Sequence, residues 1–256
     1  MEYGYIFTYD GRKIRSEFQF AKRYFDFIEL TIKLRENPSD VLKYKIYLNS
    51  IKILGHLDWR IDLSEFDQNE IRKSYNYLLL FKKLGIKRVT IHPSPNMKLD
   101  TKKVIENNLR SLSKITDYCL RNGISLMIEN TTSIPFNKAS IIKKFLDEIP
   151  TLSLTLDVGH VLKTSKNELR KFLKMVKKIG HIHLHDVFSK EDHLFFRDHK
   201  KLKRIVDKIK ENGYDKTISF ECFGMYRDGK IIEVTGNKRR LLLISHLKAL
   251  KEDEYD

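Results

Sequence analysis

Two hydrophobic periods alternate along the chain. Short apolar runs of strand length are separated by longer stretches in which apolar residues recur every three or four positions. Ile71, Tyr75, Leu78 and Leu79 make one such stretch, and Val104, Ile105, Leu112 and Cys119 another. Four times a basic amphipathic stretch stops at a glycine and an apolar run follows: Lys83-Leu84-Gly85-Ile86, Arg121-Asn122-Gly123-Ile124, Lys178-Ile179-Gly180-His181 and Glu211-Asn212-Gly213-Tyr214. A glycine just past a helix takes the left-handed conformation that closes its last turn, and Lys or Arg there suits the helix dipole. Each of the four reads as a helix-to-strand joint. Helix starts are expected at Asn37 before Pro38, at Ser64 with Asp67 three residues on, and at Asp100.

The runs between these helices give eight predicted strands, near 3–8, 25–31, 51–57, 86–92, 124–129, 152–157, 181–186 and 217–221. Rich in Ile, Leu, Val and Phe, they have the pattern of buried parallel strands joined by crossover helices. Eight such units in 256 residues match the count and length of an α/β (β/α)8 TIM barrel. A doubly wound open sheet uses similar elements, but no Gly-rich phosphate loop follows the first strand. No linker, low-complexity tract or break in composition divides the chain, so a single TIM-barrel domain over residues 1–256 is expected.

Composition narrows the class. At 41% hydrophobic the chain can bury a sizeable core and is not disordered. No apolar run approaches the roughly 20 residues of a membrane span. The start, Met1-Glu2-Tyr3-Gly4, lacks the basic-then-apolar pattern of a secretory signal. Two cysteines, Cys119 and Cys222, make neither a disulfide framework nor a thiolate zinc site, so a reducing cytoplasm is the default. Lys and Arg number 49 against 34 Asp and Glu, a net charge of +15. Such a charge attracts phosphate, on nucleic acid or on a small substrate. Here it is spread over several predicted helices (166–178, 200–210, 238–240), as on a solvated Lys-rich surface rather than in one groove.

Candidate chemistry collects where a barrel places it, at the C-terminal ends of the strands. The second strand ends at Glu29, the third at His56, the fourth at His92 and the fifth at Glu129. The sixth ends at Asp157 with His160 after it, the seventh at His183-Leu184-His185-Asp186, and the eighth at Glu221. Carboxylates and imidazoles converging on one rim are ligands for a divalent metal, Zn, Mn, Co or Mg. Glu129, Asp157 and Glu221 each follow three buried-strand residues, where an ionised carboxylate needs a cation or an ion pair. His183 alternates with Ile182 and Leu184, so it faces the interior together with His181 and His185; His181 lies deeper and reads as a packed core histidine. His56 and His92 are further ligand candidates, the plain alternative being satisfied strand-end histidines. His160 and His193 sit in loops, at a metal, at a substrate or on the surface. Glu29 reads more simply as half of a salt bridge to Lys or Arg. Trp59, the only tryptophan, either covers a substrate or packs. The stretch 222–237 reads as a lid or an oligomer contact, and the acidic tail 252–256 as solvated. No organic cofactor is implied.

In this order, the segments Ile128-Glu129-Asn130, Asp157-Val158-Gly159-His160, His183-Leu184-His185-Asp186 and Asp192-His193-Leu194, with the strand-end Glu221, resemble the xylose-isomerase-like TIM-barrel superfamily. That group holds sugar-phosphate isomerases and epimerases and the zinc apurinic/apyrimidinic endonucleases. The resemblance implies one metal held by Glu129, Asp157, His183 and Glu221. It also implies that Glu129 and Glu221 remove and return the α-proton of a small-molecule sugar or sugar phosphate through an enediolate. His160 would orient substrate oxygens, with Arg197 or Arg227 on a phosphate. The endonuclease branch adds two zinc ions, whose ligands would fall on His56, His92, His160, Glu191 and His193, and it hydrolyses phosphodiesters at abasic DNA. Glu191 stands where that branch has Asp, and Leu194-Phe195-Phe196 replaces the glycine that usually follows the Asp-X-His or Asp-His-Leu segment in either branch; the Asp157-Val158-Gly159-His160 wording and the Asp192-His193-Leu194 segment look closer to the isomerase and epimerase branch. Another lyase or dehydratase of the superfamily, and a metal-binding interaction protein, are the remaining classes.

Overall fold

The computed structural model describes residues 1–9, 14–33, 38–45, 50–227 and 229–251. Its strands are β1 (Glu2–Tyr9), β2 (Phe27–Ile32), β3 (Lys52–His56), β4 (Arg88–Ile91), β5 (Ser125–Glu129), β6 (Ser153–Asp157), β7 (Ile179–Leu184), β8 (Asp186–Phe188), β9 (Glu191–Leu194), β10 (Thr217–Phe220), β11 (Gly224–Arg227) and β12 (Lys230–Glu233). Eight of them, in the order β1-β10-β7-β6-β5-β4-β3-β2, pair in parallel and close on themselves. Closure makes this a (β/α)8 TIM barrel and excludes the open sheet. All eight predicted strands are present, with ends moved by a few residues.

Around the barrel run α1 (Ile14–Tyr24), α2 (Pro38–Leu42), α3 (Gln68–Lys83), α4 (Thr101–Arg121), α5 (Ala139–Glu148), α6 (Val158–Thr164), α7 (Lys166–Leu173), α8 (His199–Glu211) and α9 (Gly236–Lys251). Their apolar stripes bury against the strands: α4 contributes Val104, Ile105, Leu112, Ile115 and Cys119, and α3 contributes Ile71, Leu78 and Phe81. Leu79 departs from the stripe and faces outward, 40% exposed. Three of the four glycine joints form as the sequence implies. Gly85, Gly123 and Gly213 have φ of 80°, 68° and 85°, and the next residue's N–H returns to the carbonyl of Phe81, Cys119 or Ile209. Gly180 is different: the chain before it ends in a 3-10 turn at Val176–Lys178, and Gly180 lies inside β7. There its missing side chain makes room for Met127, whose sulfur would sit 3.0 Å from a Cβ. Asp100 caps α4 through Lys103 N, but α3 is capped by Asp67 and not by Ser64. Ser64 is buried in the preceding loop, where Asn107 donates to its carbonyl. Asn37 and the tail 252–256 lie outside the described residues.

The barrel interior is polar rather than filled with layers of branched aliphatic residues. At the N-terminal end the Arg88 guanidinium donates to Gly180 O and Thr217 Oγ1. Thr90 and Thr155 hydroxyls pair at 2.9 Å. Above them Glu29, His181 and Ser219 form a fully buried network. On the C-terminal rim, β8, β9, β11 and β12 form a second sheet in the order β12-β11-β9-β8. Most of the 222–237 stretch is therefore the β11–β12 hairpin. It is tied to β9 by Phe195 N to Gly224 O and Phe223 N to His193 O, both 2.8 Å. Among the described residues no helix is long and apolar enough to cross a membrane.

His246 couples this rim to α9. Its ring is 1% exposed among Phe195, Phe196, Phe220 and His199, and its Nε2 accepts the Phe196 N–H at 2.8 Å. Burial, with a smaller contribution from His199, pushes its pKa down to about 3. The folded state thus binds fewer protons than the unfolded chain between the ordinary histidine value and about 3. Stability from this group is complete above pH about 6.5 and drains as pH falls, at up to about 1.4 kcal/mol per pH unit. His246→Gln, which can keep the acceptor, is expected to flatten the fall of Tm between pH 6.5 and 4 relative to the parent protein, read by thermal melts across that range.

Candidate metal centre

Parallel register brings the rim residues together. Asp157 of β6 stands directly beside His183 of β7, and Glu129 ends the adjoining β5. Glu221 follows β10, its N–H bonded to Leu184 O. One ligand atom from each of Glu129, Asp157, His183 and Glu221 lies within 4.8 Å of the others. Three of the four are fully buried and Glu221 is 9% exposed. His183 Nδ1 is 3.1 Å from Glu221 Oε2, 3.3 Å from Glu129 Oε2 and 4.0 Å from Asp157 Oδ2.

These atoms crowd together within reach of a single ion. Glu129 Oε1, His183 Nδ1 and Glu221 Oε2 are buried without an aligned hydrogen-bond partner. Leaving three such atoms unsatisfied is costly; one divalent cation coordinated by three carboxylates and an imidazole would satisfy all of them. The donor set therefore fits a metal.

The histidine tautomer is set from below. His183 Nε2 is 3.1 Å from both oxygens of Glu29, so it carries the proton and leaves the Nδ1 lone pair for the cation. Glu29 is not at a strand end but in mid-β2, inside the barrel, and its partners are not Lys or Arg. It accepts from His181 Nε2 at 2.9 Å and Ser219 Oγ at 2.6 Å. His181 spends its Nδ1 on Thr217, so it is a packed, satisfied histidine.

Asp157 Oδ1 caps α6 through His160 N at 2.7 Å, and Asn130 holds the Asp157 backbone through paired 2.9 Å bonds. Gly159, in the first turn of α6, is required by the His185 ring: a Cβ there would come within 2.1 Å of it.

Charge balances within the cluster. Burial would raise Glu129, Asp157, Glu221 and Glu29, but neighbouring imidazoles hold all four below the usual carboxylate range. Conversely, burial would lower His56 and His185, yet Glu129 lifts the first and Asp157 the second to about 9. In the cation-free cluster, protons on imidazole supply positive charge that a metal would replace.

The other predicted ligands form two flanking groups. His56 Nδ1 donates to Leu57 O at 2.8 Å, which turns Nε2 to Glu129 Oε2 at 3.2 Å; His92 Nε2 reaches the same oxygen at 3.0 Å. His56, His92 and Glu129 can share a cation. His160, His185 and His193 form the other group. In that group His185 has both nitrogens engaged: Nδ1 accepts His193 N at 2.9 Å and Nε2 bonds Asp157 at 3.1 Å. His193 adopts a left-handed φ of 52°, which aims a buried Nδ1 at Glu221, 3.9 Å away.

Two expected residues fall outside. Glu191 is exposed at the start of β9 and joins none of these groups. Arg197 is exposed over the Tyr226 ring and lines neither rim cavity.

Over the cluster sits a pocket of about 440 Å³ walled by His56, His92, His160, His193, Glu221, Asp192, Trp59, Phe223 and four threonines, Thr8, Thr31, Thr131 and Thr132. Trp59 is 71% exposed at its edge. Sequence reading missed Glu29 as a positioning group, the threonines, and Phe223; only Asn130, next to Glu129, carried a local signal. Replacing Glu29 with Gln keeps the shape but removes the carboxylate behind His183. Cation affinity is expected to fall about 10–100-fold with the fold retained, measured by titrating Mn or Zn into cation-stripped protein.

The xylose isomerase-like TIM-barrel family model matches residues 18–248. A curated relative, the uncharacterized protein MJ1614 of Methanocaldococcus jannaschii, is 32% identical over 106 residues, 41% of this chain and 41% of that protein. The match thus spans about two fifths of the length of that relative. Among solved structures, D-psicose 3-epimerase with D-tagatose from Clostridium cellulolyticum H10 superposes with a TM-score of 0.72 at 15% identity, covering 100% of this chain and 99% of that one. The IolI protein with a bound zinc atom gives 0.71 at 17%, covering 100% and 97%. A family 2 AP endonuclease from Brucella melitensis gives 0.65 at 14%, covering 87% and 93%. At these identities the likeness is one of fold. The family match over nearly the whole barrel is independent of it, and the chain belongs to the xylose isomerase-like TIM-barrel family.

Proposed function

We propose that this protein is a divalent-cation-dependent isomerase or epimerase of a sugar or sugar phosphate, working by proton transfer beside a carbonyl. The observation that carries this reading is the convergence of Glu129, Asp157, His183 and Glu221 beneath a pocket sized for one small polyhydroxy molecule. No Lys or Arg among the described residues lines that pocket. Its threonine hydroxyls suit sugar hydroxyls, and Trp59 and Phe223 offer apolar faces to ring C–H groups. The fold likeness to a D-psicose 3-epimerase supports the same chemistry.

A bound divalent cation supplies Lewis acidity at the substrate carbonyl, which acidifies the neighbouring C–H. Glu221 lines the pocket, and with one carboxylate oxygen toward the cation its other oxygen takes the α-proton as general base. Glu129 lies below the wall. Proton return on its side passes through His92, which lines the pocket with Nε2 on the Glu129 oxygen behind it. His160 Nδ1 is held by Asn130 O at 3.1 Å, which leaves Nε2 to orient a substrate hydroxyl.

The His56–His92–Glu129 group and the +15 charge favour a second reading, multi-zinc phosphodiester hydrolysis at abasic DNA. Against it stand the committed nitrogens of His185 and the outward position of Glu191, which weaken a third zinc site.

One preparation tests both. Protein loaded in turn with Mn, Co, Zn or Mg is expected to exchange the α-proton of a ketose or ketose phosphate in deuterated water, followed by NMR. Glu221→Gln should slow exchange about 10²–10⁴-fold. Three zinc ions per chain together with incision of an abasic-site oligonucleotide, and no exchange, would replace the first reading by the second.

A further inference from the structure

A second cavity of about 460 Å³ adjoins the cation pocket, and Thr8 and Phe223 line both. It lies between the end of β1, the residue after β2 and the first turn of α9, and its wall holds Lys33, Arg239 and Arg240. Arg239 is the unusual one. Its guanidinium lies against the rings of Tyr5 and Phe223, at 5.6 and 5.0 Å, and donates to Cys222 O at 3.0 Å and Ile6 O at 2.7 Å. Both partners are neutral carbonyls, and no carboxylate among the described residues pairs with it. Burial pushes the guanidinium below its usual pKa. A half-buried cation with no anion beside it is a ready partner for an anionic ligand.

Arg240 adds a buried Nε with no hydrogen-bond partner, although its Nη2 is spent on Glu17 at 2.7 Å. Glu17 is thereby neutralised. Glu233, the other carboxylate on the wall, is exposed. Thr8 and Thr235 supply hydroxyls, and Gly236, the first residue of α9, lines the same cavity.

Resting on the isomerase or epimerase reading, we infer that this cavity is a subsite for a phosphate monoester, held by Arg239, Arg240 Nε and Lys33, so that the substrate is a phosphorylated sugar with its carbonyl end at the cation pocket. The donors around it, a guanidinium fork, an ammonium and two hydroxyls, match an anion with three oxygens better than a neutral hydroxymethyl end. This moves phosphate recognition away from Arg197 and Arg227, which line neither cavity.

Calorimetric titration of the cation-loaded protein with ribitol 5-phosphate and with ribitol tests the subsite without turnover, since neither carries a carbonyl. The phosphate ester is expected to bind at least about 30-fold more tightly. Lys33→Met and Arg239→Met should each remove most of that preference while leaving ribitol affinity unchanged, and Arg227→Met should leave the preference intact. Lys33→Met keeps the test open if Arg239→Met fails to fold. Equal binding of the two polyols, or a preference that survives Lys33→Met and Arg239→Met, overturns the subsite. A persisting preference without proton exchange on any ketose phosphate would instead remove the isomerase reading and leave the subsite standing.

Discussion

Four carboxylates inside one barrel, Glu29, Glu129, Asp157 and Glu221, none more than 9% exposed, set the terms for the rest of this structure. In a low-dielectric interior each needs positive charge or donated hydrogen bonds. The chain answers with imidazoles from other strands and rim segments: His181 and His183 for Glu29, His56 and His92 for Glu129, His160 and His185 for Asp157, His183 and His193 for Glu221. The compensation is incomplete where Glu129, His183 and Glu221, with His193 beside them, each leave a buried atom without a hydrogen-bond partner. That local shortfall is what fits the cluster to a metal ion.

The supporting shell works in two layers. From below, Glu29 fixes which nitrogen of His183 faces the cluster. From the side, the Asn130 amide clamps the Asp157 backbone, and the cap of α6 fixes one Asp157 oxygen. Neither layer touches the pocket, yet both hold the ligands within the narrow tolerance that coordination needs. The rim sheet contributes differently: β9 and the β11–β12 hairpin set His193 and Phe223 at the pocket wall.

The unequal settings of Glu129 and Glu221 bear on direction of proton flow. Two carboxylates with the same exposure would be interchangeable, whereas here one lines the pocket and the other sits behind two histidines. Under the proposed function, such an arrangement would give the two faces of a bound sugar different proton carriers, a carboxylate on one and an imidazole on the other.

Periodicity and punctuation made the barrel legible. Alternating apolar runs, the glycines at 85, 123 and 213, and the acidic or imidazole residue closing nearly every strand are local signals, each read within a few residues. They determined the eight strands, the rim on which chemistry collects, and the identity of Glu129, Asp157, His183 and Glu221 as candidates. Tertiary structure decided everything that depends on which side chain meets which across the barrel. Glu29 and His183 meet though 154 residues separate them, as do Arg239 and Ile6 across 233. It also decided the departures: Gly180 in a strand, Ser64 in a buried loop, and Glu191 exposed outside the cluster at the start of a short strand without a hydrophobic period of its own. The reason is physical. Local sequence fixes backbone conformation and which face is apolar, whereas the pairing of buried charges is fixed only when barrel closure brings distant strands within reach of one another.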